Sequence, residues 1–574
     1  MRHIVDPQQK RLFDPFQGLF SKIGLRTISQ GWQGGFRHVI LEILPVAKLA
    51  QHFHASEGAP TKELYSMAGL VFLADFHSWT AKEASEALMF RNDVQYALNL
   101  QPGAEVSDRT VERYQKLFRE DGIAAQVFDN VIAELIKKLE LDVSRQRLDS
   151  THLFSNMATF GRTKLMAVAI KRFLTQVKRH HFDLYKALPE DFRLRYEPAQ
   201  SRLFADSFTP EAHKRSRQQA AEDLLWTINH FAEIKKITDQ STYKVLPTIF
   251  NQQCEIVESK VTIREKTGGN CIQNPSDLDA TYDGHKGQGY QVQIAETCSA
   301  ENDVQLITGA IPQTACELDE AALLLMLGQL EKADRLPEEL LADTAYTGDD
   351  NVQSAEARGV ELIGPVPGRA PESLPDTLTV DDFSHDERTG VISACPAGHE
   401  PLSCTRDETI GKTKVEMAAE LCSGCRFREQ CPIVKNRKGR FVLEISDKER
   451  RLAGRRQEQE TPVFRERYAM RSGIESTNSG LKNLLGLGQL RVRGRGSVFR
   501  AIMHKLAGWN VLRAAASAKL RARVTEQVAE ALGARISGQF GQVFVDIEGL
   551  LSDREGIGWG VRSKIDQSVR TRYT

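Results

Sequence analysis

Long apolar runs are missing from this sequence. The longest apolar stretches, around residues 67–76 and 321–330, reach about half of the roughly 20 residues that a membrane-spanning helix needs. The opening segment MRHIVDPQQKRLFDPF carries acids and prolines where a secretory signal would have an apolar core. We therefore expect a cytoplasmic protein without membrane association.

The sequence also lacks an excess of charge, a disulfide pattern, internal repeats and low-complexity tracts. Its 76 Lys and Arg residues balance 76 Asp and Glu residues, so the net charge gives no sign of a polyanionic partner. Nine cysteines, an odd number, fit reduced thiols or a metal site better than a disulfide framework. With 41% hydrophobic and 26% charged residues over 574 positions, the composition predicts a packed fold of several domains.

The charge is unevenly distributed along the chain. Residues 465–523 contain 13 Lys or Arg and only two acids, Glu466 and Glu475. A basic segment of this kind is suited to following a phosphate backbone. An acid inside such a basic field is a candidate functional residue.

Residues 1–141 predict a helical domain. The stretch LYSMAGLVFLADFHSWTAKEASEALMF has apolar residues at helical spacing. Thr80 and Ser107 are candidate N-caps, the first with a capping-box acid at Glu83. Two helix starts separated by a turn are compatible with a helix-turn-helix DNA reader, although ordinary helical bundles show the same pattern. We interpret this region as a helical N-terminal DNA-binding domain.

Residues 142–366 predict the first part of an α/β core. VSRQRLDST predicts a strand that ends near Asp149, and a helical insertion follows over about 164–265. GYQVQIAETC and DVQLITGAI predict an antiparallel hairpin, and ELLADTAYTG and VELIGPV predict two further strands with a helix between them. This order of elements predicts a sheet covered by helices.

The rest of the chain divides into a small module and a basic helical part. Residues 367–460 are loop-rich and contain a group of cysteines, which indicates an inserted cysteine-rich module. Residues 461–574 predict the last part of the core. There a helix that begins at Thr461, with Pro462 in its first turn, carries Glu475, and basic C-terminal helices follow.

Three acids are candidates for one metal site. Asp149 and Asp343 lie near the ends of two predicted strands, and Glu475 lies on a late helix. Because active-site residues gather at strand ends in an open α/β sheet, two such carboxylates and a third on a covering helix can share a cation. Magnesium prefers oxygen ligands of this kind. Since 76 acids provide many triplets, the trio alone is a weak signal.

The residues around the third acid form a more specific pattern, Tyr468-x2-Arg471-x3-Glu475-x6-Lys482. Steps of three, four and seven residues place these side chains along one helical face, where an aromatic ring, two cations and an acid can reach one backbone. The alternative is a solvated helix with an Arg471–Glu475 ion pair. The pattern resembles the tyrosine, arginine, glutamate, lysine signature of bacterial insertion-sequence transposases of the DDE type.

The resemblance covers most of the chain. RLDSTHLFSNM is similar to the first-aspartate segment of these transposases, and LLADTAYTGDDN is similar to the second. DATYDGHKGQGYQVQIAETC and the N-terminal stretch to about residue 118 are also similar to that group. The resemblance implies a ribonuclease H-like α/β fold: a mixed sheet with a helical insertion, preceded by an all-helical N-terminal domain and interrupted by the cysteine-rich module.

The resemblance also implies roles for six side chains. The implied catalytic ligands of two Mg²⁺ or Mn²⁺ ions are Asp149, Asp343 and Glu475. The implied DNA contacts near the cleaved phosphate are Tyr468, Arg471 and Lys482. Two metals can activate a water or a 3′-hydroxyl and stabilise the leaving oxygen. The implied partners are double-stranded DNA, namely terminal inverted repeats and target DNA, with a homodimer or higher oligomer on that DNA and nucleoid association when bound.

Other polar residues near these segments are weaker candidates. Asp142 precedes the first strand, and Asp349 and Asp350 follow a turn glycine, so we expect surface positions for all three. His152 could touch substrate, but a histidine that points away from the site at a strand end is usually structural.

Cysteines at metal-ligand spacing lie in the inserted module. Cys422-x2-Cys425-x5-Cys431 supplies three thiols, and Cys395 in ACPAGH offers a fourth, so the set predicts tetrahedral structural zinc. Two further residues are alternative fourth ligands: His399 and Cys404. The other interpretation is a group of reduced thiols in a compact loop module. We expect the remaining cysteines, at 254, 271, 298 and 316, to be buried.

The sequence therefore predicts an insertion-sequence DNA transposase that binds element ends and catalyses metal-dependent strand cleavage and strand transfer. Two other functions stay open. One is a ribonuclease H-like nuclease that cleaves without transfer, and the other is a DNA-binding repressor derived from a transposase. The intact acids argue against the repressor.

Overall fold

The N-terminal part of the chain is helical, as predicted. The structure, a computed structural model, describes residues 1–7, 14–120, 122–204, 209–368, 378–385, 391–407 and 409–517. The helices before the first strand of the core are α1 (Lys22–Gln30), α2 (Trp32–Gly35), α3 (Leu41–Ile43), α4 (Val46–Ala50), α5 (Leu64–Phe76), α6 (Ala81–Phe90), α7 (Asn92–Ala97), α8 (Asp108–Glu120) and α9 (Ile123–Leu139).

Both predicted helix starts in this part are confirmed. Thr80 Oγ1 accepts from the Glu83 backbone N–H and the Glu83 carboxylate accepts from the Thr80 N–H, which closes a capping box at α6. Ser107 Oγ accepts from the Thr110 N–H at the start of α8. Helix α5 is apolar on nearly every side, and such a helix is stable only inside a core.

A long strand and a helical insertion follow. Strand β1 (Arg145–Leu153) continues past Asp149, so this acid lies within the strand and the predicted strand end was wrong. The insertion contains α10 (Arg162–His180), α11 (Phe182–Lys186), α12 (Glu190–Tyr196), α13 (Pro210–Phe231), α14 (Lys235–Thr238), α15 (Ser241–Gln253) and the hairpin β2 (Cys254–Val257) and β3 (Lys260–Ile263). Its helices enclose a hydrophobic core of their own.

The central sheet has the mixed α/β character that the sequence predicted. Its further strands and helices are β4 (Thr281–Asp283), β5 (Gly287–Thr297), β6 (Ile307–Thr314), α16 (Asp319–Lys332), β7 (Glu339–Leu341), α17 (Asp349–Glu356) and β8 (Glu361–Ile363). The strand order is β4-β5-β1-β7-β8, with β6 also paired to β5. β5 and β6 form the predicted antiparallel hairpin, and β1 is antiparallel to β5. On its other side β1 pairs in parallel with β7, which pairs in parallel with β8.

The side chains of β1 alternate between an apolar face and a polar face of the sheet. Leu148 is fully buried and packs with Leu323, Met326 and other apolar residues of α16. The neighbouring residues Arg147 and Asp149 contact the C-terminal elements on the opposite face. One face of the sheet therefore holds the core, and the other carries polar groups.

Residues 367–460 contain a small sheet, and not only loops. The elements are β9 (Ser384–His385), β10 (Ile392–Ala394), β11 (Ser403–Asp407), β12 (Lys412–Met417), α18 (Ala419–Ser423), β13 (Val434–Lys435), β14 (Phe441–Ser446) and α19 (Asp447–Gln459). β11, β12, β14 and β13 form one antiparallel sheet, and β9 pairs with β10. Their apolar residues form a separate cluster.

The helix predicted from Thr461 is interrupted. Helix α20 (Pro462–Ala469) begins at Pro462 as predicted, but a 3₁₀ turn (Met470–Ser472) separates it from α21 (Gly473–Asn483). Helix α22 (Arg495–Ala515) then packs against α5, α9 and β6. The basic helices predicted after residue 517 lie outside the described residues. None of the helices in the described part of the chain is both long and apolar enough to cross a membrane.

Candidate functional site

Three carboxylates from distant segments meet around one guanidinium. Arg471 Nη2 lies 3.0 Å from Asp149 Oδ1 and 3.6 Å from Asp343 Oδ2. Arg471 Nη1 lies 3.5 Å from Glu475 Oε1. The structure therefore brings together the three acids that the sequence singled out, although more than 300 positions separate the first from the last.

Asp149 is held on the polar face of β1. Its Oδ1 contacts Arg471, and its Oδ2 accepts a hydrogen bond of 3.0 Å from Asn478 Nδ2 of α21. Burial raises the pKa of Asp149, the nearby Asp343 charge acts in the same direction, and Arg471 opposes both. The ionised carboxylate is thus incompletely compensated, and a further positive charge at this place would stabilise it.

Asp343 reaches the same place from the neighbouring strand. β7 runs parallel to β1, with Leu341 opposite Arg147, and Asp343 follows two residues after the strand ends. The Ala345 N–H donates to Asp343 Oδ1 over 2.9 Å, which leaves Oδ2 directed at Arg471. This position after a parallel strand agrees with the prediction.

Glu475 lies in the first turn of α21. The helix buries Ile474 and Leu481, whereas the Glu475 side chain is 69% exposed. An acid in a first helical turn is favoured by the helix dipole. Its carboxylate is therefore the most exposed of the three, at the rim of the acid cluster, where it also contacts Arg471.

The signature residues converge although they do not share one continuous helix. Tyr468 is in α20, Arg471 in the 3₁₀ turn, and Glu475 and Lys482 in α21, so a 3₁₀ turn interrupts the helix that the spacing assumed. Burial raises the pKa of Tyr468, Arg471 lowers it, and the carboxylates of Asp343, Asp149 and Glu475 raise it further.

Lys482 adds a second cation near the cluster. Burial lowers the pKa of its ammonium group, and the charge of Asp149 partly offsets that effect. Arg471 is thus the cation in contact with all three acids, and Lys482 lies near enough to Asp149 for that charge to act on its pKa. The turn between α20 and α21 directs Arg471 toward the acids.

A buried network fixes this turn against the sheet. Arg147 Nε donates to Glu296 Oε2 over 2.8 Å, and Arg147 Nη1 donates to the Met470 carbonyl over 2.9 Å. Thr477 Oγ1 donates to Glu296 Oε1 over 2.6 Å. Because Glu296 is almost completely buried, the paired charges hold both the 3₁₀ turn and α21 in place.

Sequence reasoning missed Asn478 and this network. Asn478 stands three residues after Glu475, so its helical spacing could have indicated a side chain on the same face. Arg147 and Glu296 carry no comparable signal, since their pairing depends on the register between β1 and β5.

The weaker polar candidates from the sequence differ in burial. Asp349 was predicted at the surface but is buried, because Arg451 of α19 forms an ion pair with it at 2.6 Å. Asp350 is exposed, as predicted, and Asp142 is half-buried. His152 has its Nε2 3.2 Å from the Gln288 carbonyl, and burial lowers its pKa, which fits a structural role.

The chemistry of the cluster fits a divalent cation. All three acids offer carboxylate oxygens, the ligand type that Mg²⁺ and Mn²⁺ prefer, and they already share a cationic group. Among the residues that the structure describes, no group of three or more His, Cys, Asp and Glu side chains is arranged to hold a metal ion as it stands. At this cluster the guanidinium of Arg471 is the shared cation.

All nine cysteines are free thiols. Four of them, Cys395, Cys422, Cys425 and Cys431, line one small cavity in the module, together with His399. Burial raises the pKa of Cys422, and the charges of the three other cysteines raise it further. Outside the module, Cys254, Cys271 and Cys298 are buried as predicted, whereas Cys316 is half-buried.

Residues 394–515 match a family model described as a transposase DDE domain. The match covers about a fifth of the chain and includes the module cysteines and the segment from Tyr468 to Lys482, while Asp149 and Asp343 precede it. This part of the chain is therefore similar in sequence to a transposase DDE domain. The comparison with curated proteins gave no match.

Among solved structures, the chain is similar to piggyBac transposase in a cryo-EM structure of its synaptic complex with hairpin DNA. The two chains are 10% identical over 80% of this chain and 89% of that chain, with a TM-score of 0.21. At this TM-score the likeness carries no argument about fold or function.

Proposed function

We propose that this protein is the DDE transposase of an insertion sequence, which binds the ends of its element and catalyses metal-dependent strand cleavage and strand transfer. The observation that carries the proposal is the convergence of Asp149, Asp343 and Glu475 on one cation. The transposase DDE-domain match over residues 394–515, which contains the third acid, supports it independently.

The strand order supports a ribonuclease H-like catalytic core. A central strand that is antiparallel to a hairpin on one side and parallel to two strands on the other is the arrangement expected for that fold. In this arrangement the first acid lies on the central strand and the second follows the adjacent parallel strand. A late helix then supplies the third.

For the proposed reaction, Asp149, Asp343 and Glu475 would hold two Mg²⁺ or Mn²⁺ ions. Such ions would activate the attacking oxygen and stabilise the leaving oxygen of the phosphodiester. The chain itself orients the ligands: Asn478 fixes one oxygen of Asp149, and the buried pair of Arg147 and Glu296 holds the helix that carries the third acid.

The cations of the signature are suited to hold DNA. Arg471 can form paired hydrogen bonds to a phosphate, and Lys482 supplies a point charge. Tyr468 can stack on a base or donate to a phosphate. Since an element has two ends, the proposal includes a homodimer or higher oligomer on DNA, and it places the protein at the nucleoid when bound.

The test is a cleavage assay on labelled DNA that carries the ends of the element. The protein is incubated with and without Mg²⁺ or Mn²⁺ beside the variants Glu475→Gln and Asp343→Asn. The matched control is Glu466→Gln, which changes an exposed acid on the preceding helix. We expect metal-dependent nicking at the element boundary in the wild type and control, and a loss of nicking with retained binding in the other two variants.

The same assay separates the alternatives. Joining of a 3′-hydroxyl end to a second DNA is expected for a transposase and absent for a nuclease. Binding to the ends without cleavage in any metal would identify a repressor. Equal cleavage by Glu475→Gln and wild type would overturn the assignment of the acids.

A further inference from the structure

The inserted module contains a cavity whose wall is rich in sulfur. The cavity has a volume of about 20 Å³ and is lined by Cys395, Cys422, Cys425 and Cys431 with His399 and apolar neighbours such as Ile433. A space of this size holds roughly one water or one ion. Its four thiols come from two separate stretches of the module.

We propose that this cavity is a structural zinc site with Cys395, Cys422, Cys425 and Cys431 as its four ligands. Zinc in structural sites is tetrahedral and is bound by Cys thiolates or His nitrogens. The proposal goes beyond the transposase function, because a closed four-ligand site leaves no position for a reacting water. Its role is to hold the module together.

Local backbone structure presents these thiols inward. The Cys395 N–H donates to the His399 carbonyl over 2.9 Å and the Gly398 N–H donates to the Cys395 carbonyl over 2.7 Å, which forms a tight turn around Cys395. The Cys425 N–H lies 3.4 Å from the Cys422 carbonyl at the end of α18. Each turn therefore places its cysteines at one edge of the cavity.

The structure separates the two alternative fourth ligands that the sequence left open. Cys404 lies in β11, where it pairs with Val415 of β12, and it does not line the cavity. Cys395 and His399 both line the cavity, and Cys395 is the more buried of the two. We therefore assign Cys395 as the fourth ligand, and the variants below separate it from His399.

The thiols surround the cavity without being in finished ligand geometry, since no three such side chains among the described residues are already arranged around a metal. Binding then requires the sulfurs to close onto the ion by side-chain rotation. The module has a small hydrophobic core, with Phe441, Val415 and Ile445 among its buried residues. A metal that binds only the folded module would add its binding free energy to the stability of this small core.

The helix that follows the module's last strand also contacts the segment after Asp343, the second acid. Strand β14 continues directly into α19, where Arg451 pairs with Asp349 and Arg455 Nη1 donates to the Thr347 carbonyl over 3.0 Å. Both contacts fall on the segment that follows Asp343. Zinc in the module would therefore stabilise the connection between the second acid and the helix that bears the third.

The first measurement is the zinc content of the full chain purified without chelator. We expect about one zinc per chain in the wild type and in Cys404→Ser, and a large loss of zinc in Cys425→Ser. Since the cysteine variant can fail to fold, the wild type is also exchanged with Co²⁺. Four thiolate ligands would give the intense visible and near-ultraviolet absorption of tetrahedral cobalt–thiolate.

Thiol titration provides the second measurement. Native wild type should gain four reactive thiols when a chelator removes the metal, and limited proteolysis should then cut within the module first. Zinc near zero in freshly purified wild type, with no cobalt–thiolate absorption after exchange, would overturn the proposal. Retention of zinc by Cys395→Ser together with its loss in His399→Ala would overturn Cys395 as the fourth ligand. None of these readouts depends on DNA cleavage.

Discussion

Arg471 Nη2 lies 3.0 Å from Asp149 Oδ1, and the same nitrogen lies 3.6 Å from Asp343. One guanidinium thus takes the place between two acids where a divalent cation would be shared. Binding of a cation by the acids and binding of a phosphate by Arg471 should therefore favour each other. Each event takes one side of the ion pairs between Arg471 and the acids, which leaves the other side open to its own ligand.

This arrangement predicts competition between Arg471 and metal ions. In Arg471→Gln the acids lose their resident positive charge, so we expect the DNA-free protein to bind Mn²⁺ more tightly, on the order of tenfold. Titration followed by electron paramagnetic resonance of free Mn²⁺ measures this affinity. Arg465→Gln is the control, because the Arg465 guanidinium pairs with the exposed Glu460. Weaker Mn²⁺ binding in Arg471→Gln would show that the guanidinium supports the metal site instead.

Asp149 is expected to reduce the stability of the fold. Its pKa is raised by burial and by Asp343, against the opposing effect of Arg471. A carboxyl whose folded-state pKa is raised stabilises the fold below its ordinary pKa and loses that contribution as the pH rises through the folded pKa. At neutral pH, Asp149→Asn should therefore raise the free energy of unfolding by about 0.5–2 kcal/mol while it abolishes cleavage.

Thermal melts of the wild type and Asp149→Asn between pH 4 and pH 8 check this prediction. The advantage of the variant should grow as the pH rises from the acidic end. Ser150→Ala, at the next position of the same strand, is the control for a change at this place. A variant that melts below the wild type at pH 7 would contradict the assignment of Asp149 as a destabilising acid.

The sequence predicted the parts of the molecule that depend on local pattern. The Thr80 capping box, the hairpin of β5 and β6, and Asp343 after a short strand all follow from spacing along the chain. It also selected the three acids, but through resemblance, since strand and helix patterns do not show which carboxylates meet.

Non-local contacts account for what the sequence predicted wrongly. Asp349 is buried because Arg451, about a hundred positions later, supplies a charge that no local pattern shows. The helix around Arg471 is interrupted where the Met470 carbonyl accepts from Arg147 of the sheet. A hydrogen bond from a distant residue can thus outweigh helix propensity within one turn.

Close packing of α21 against α22 predicts a sensitive glycine. A methyl group at Gly480 would overlap the ring of Trp509, whereas Gly454 in α19 has open space around its Cα. Gly480→Ala should therefore cost about 1–3 kcal/mol through overpacking and reduce cleavage by moving the helix that carries Glu475. Gly454→Ala should gain up to about 1 kcal/mol from helix propensity. Urea denaturation measures both, and equal stability of the two variants would contradict the packing argument.

A buried charge cluster joins the N-terminal helices to α22. Asp75 of α5 accepts from Arg500 Nε over 2.8 Å, and its Oδ2 lies 2.8 Å from His504 Nδ1. All three side chains are at most 5% exposed. Burial alone would raise the pKa of Asp75, but Arg500 and His504 more than offset it and hold that pKa below its ordinary value.

Removal of the charge at Asp75 should therefore be among the most destabilising single changes in the molecule. Asp75→Asn leaves Arg500 buried without a counter-ion, for which we expect a loss of about 3–5 kcal/mol at pH 7. Because the pKa of Asp75 is held well below its ordinary value, this stability begins to be lost as the pH falls below about 4 and is fully lost only below the folded-state pKa. The gap between the wild type and Asp75→Asn should therefore be narrower at pH 3.5 than at pH 7. Asp93→Asn breaks the more exposed pair with Arg91 and should cost less than about 1 kcal/mol. Denaturant melts at pH 7 and pH 3.5 test both, and a small loss in Asp75→Asn at pH 7 would show that the cluster contributes little to joining the two helices.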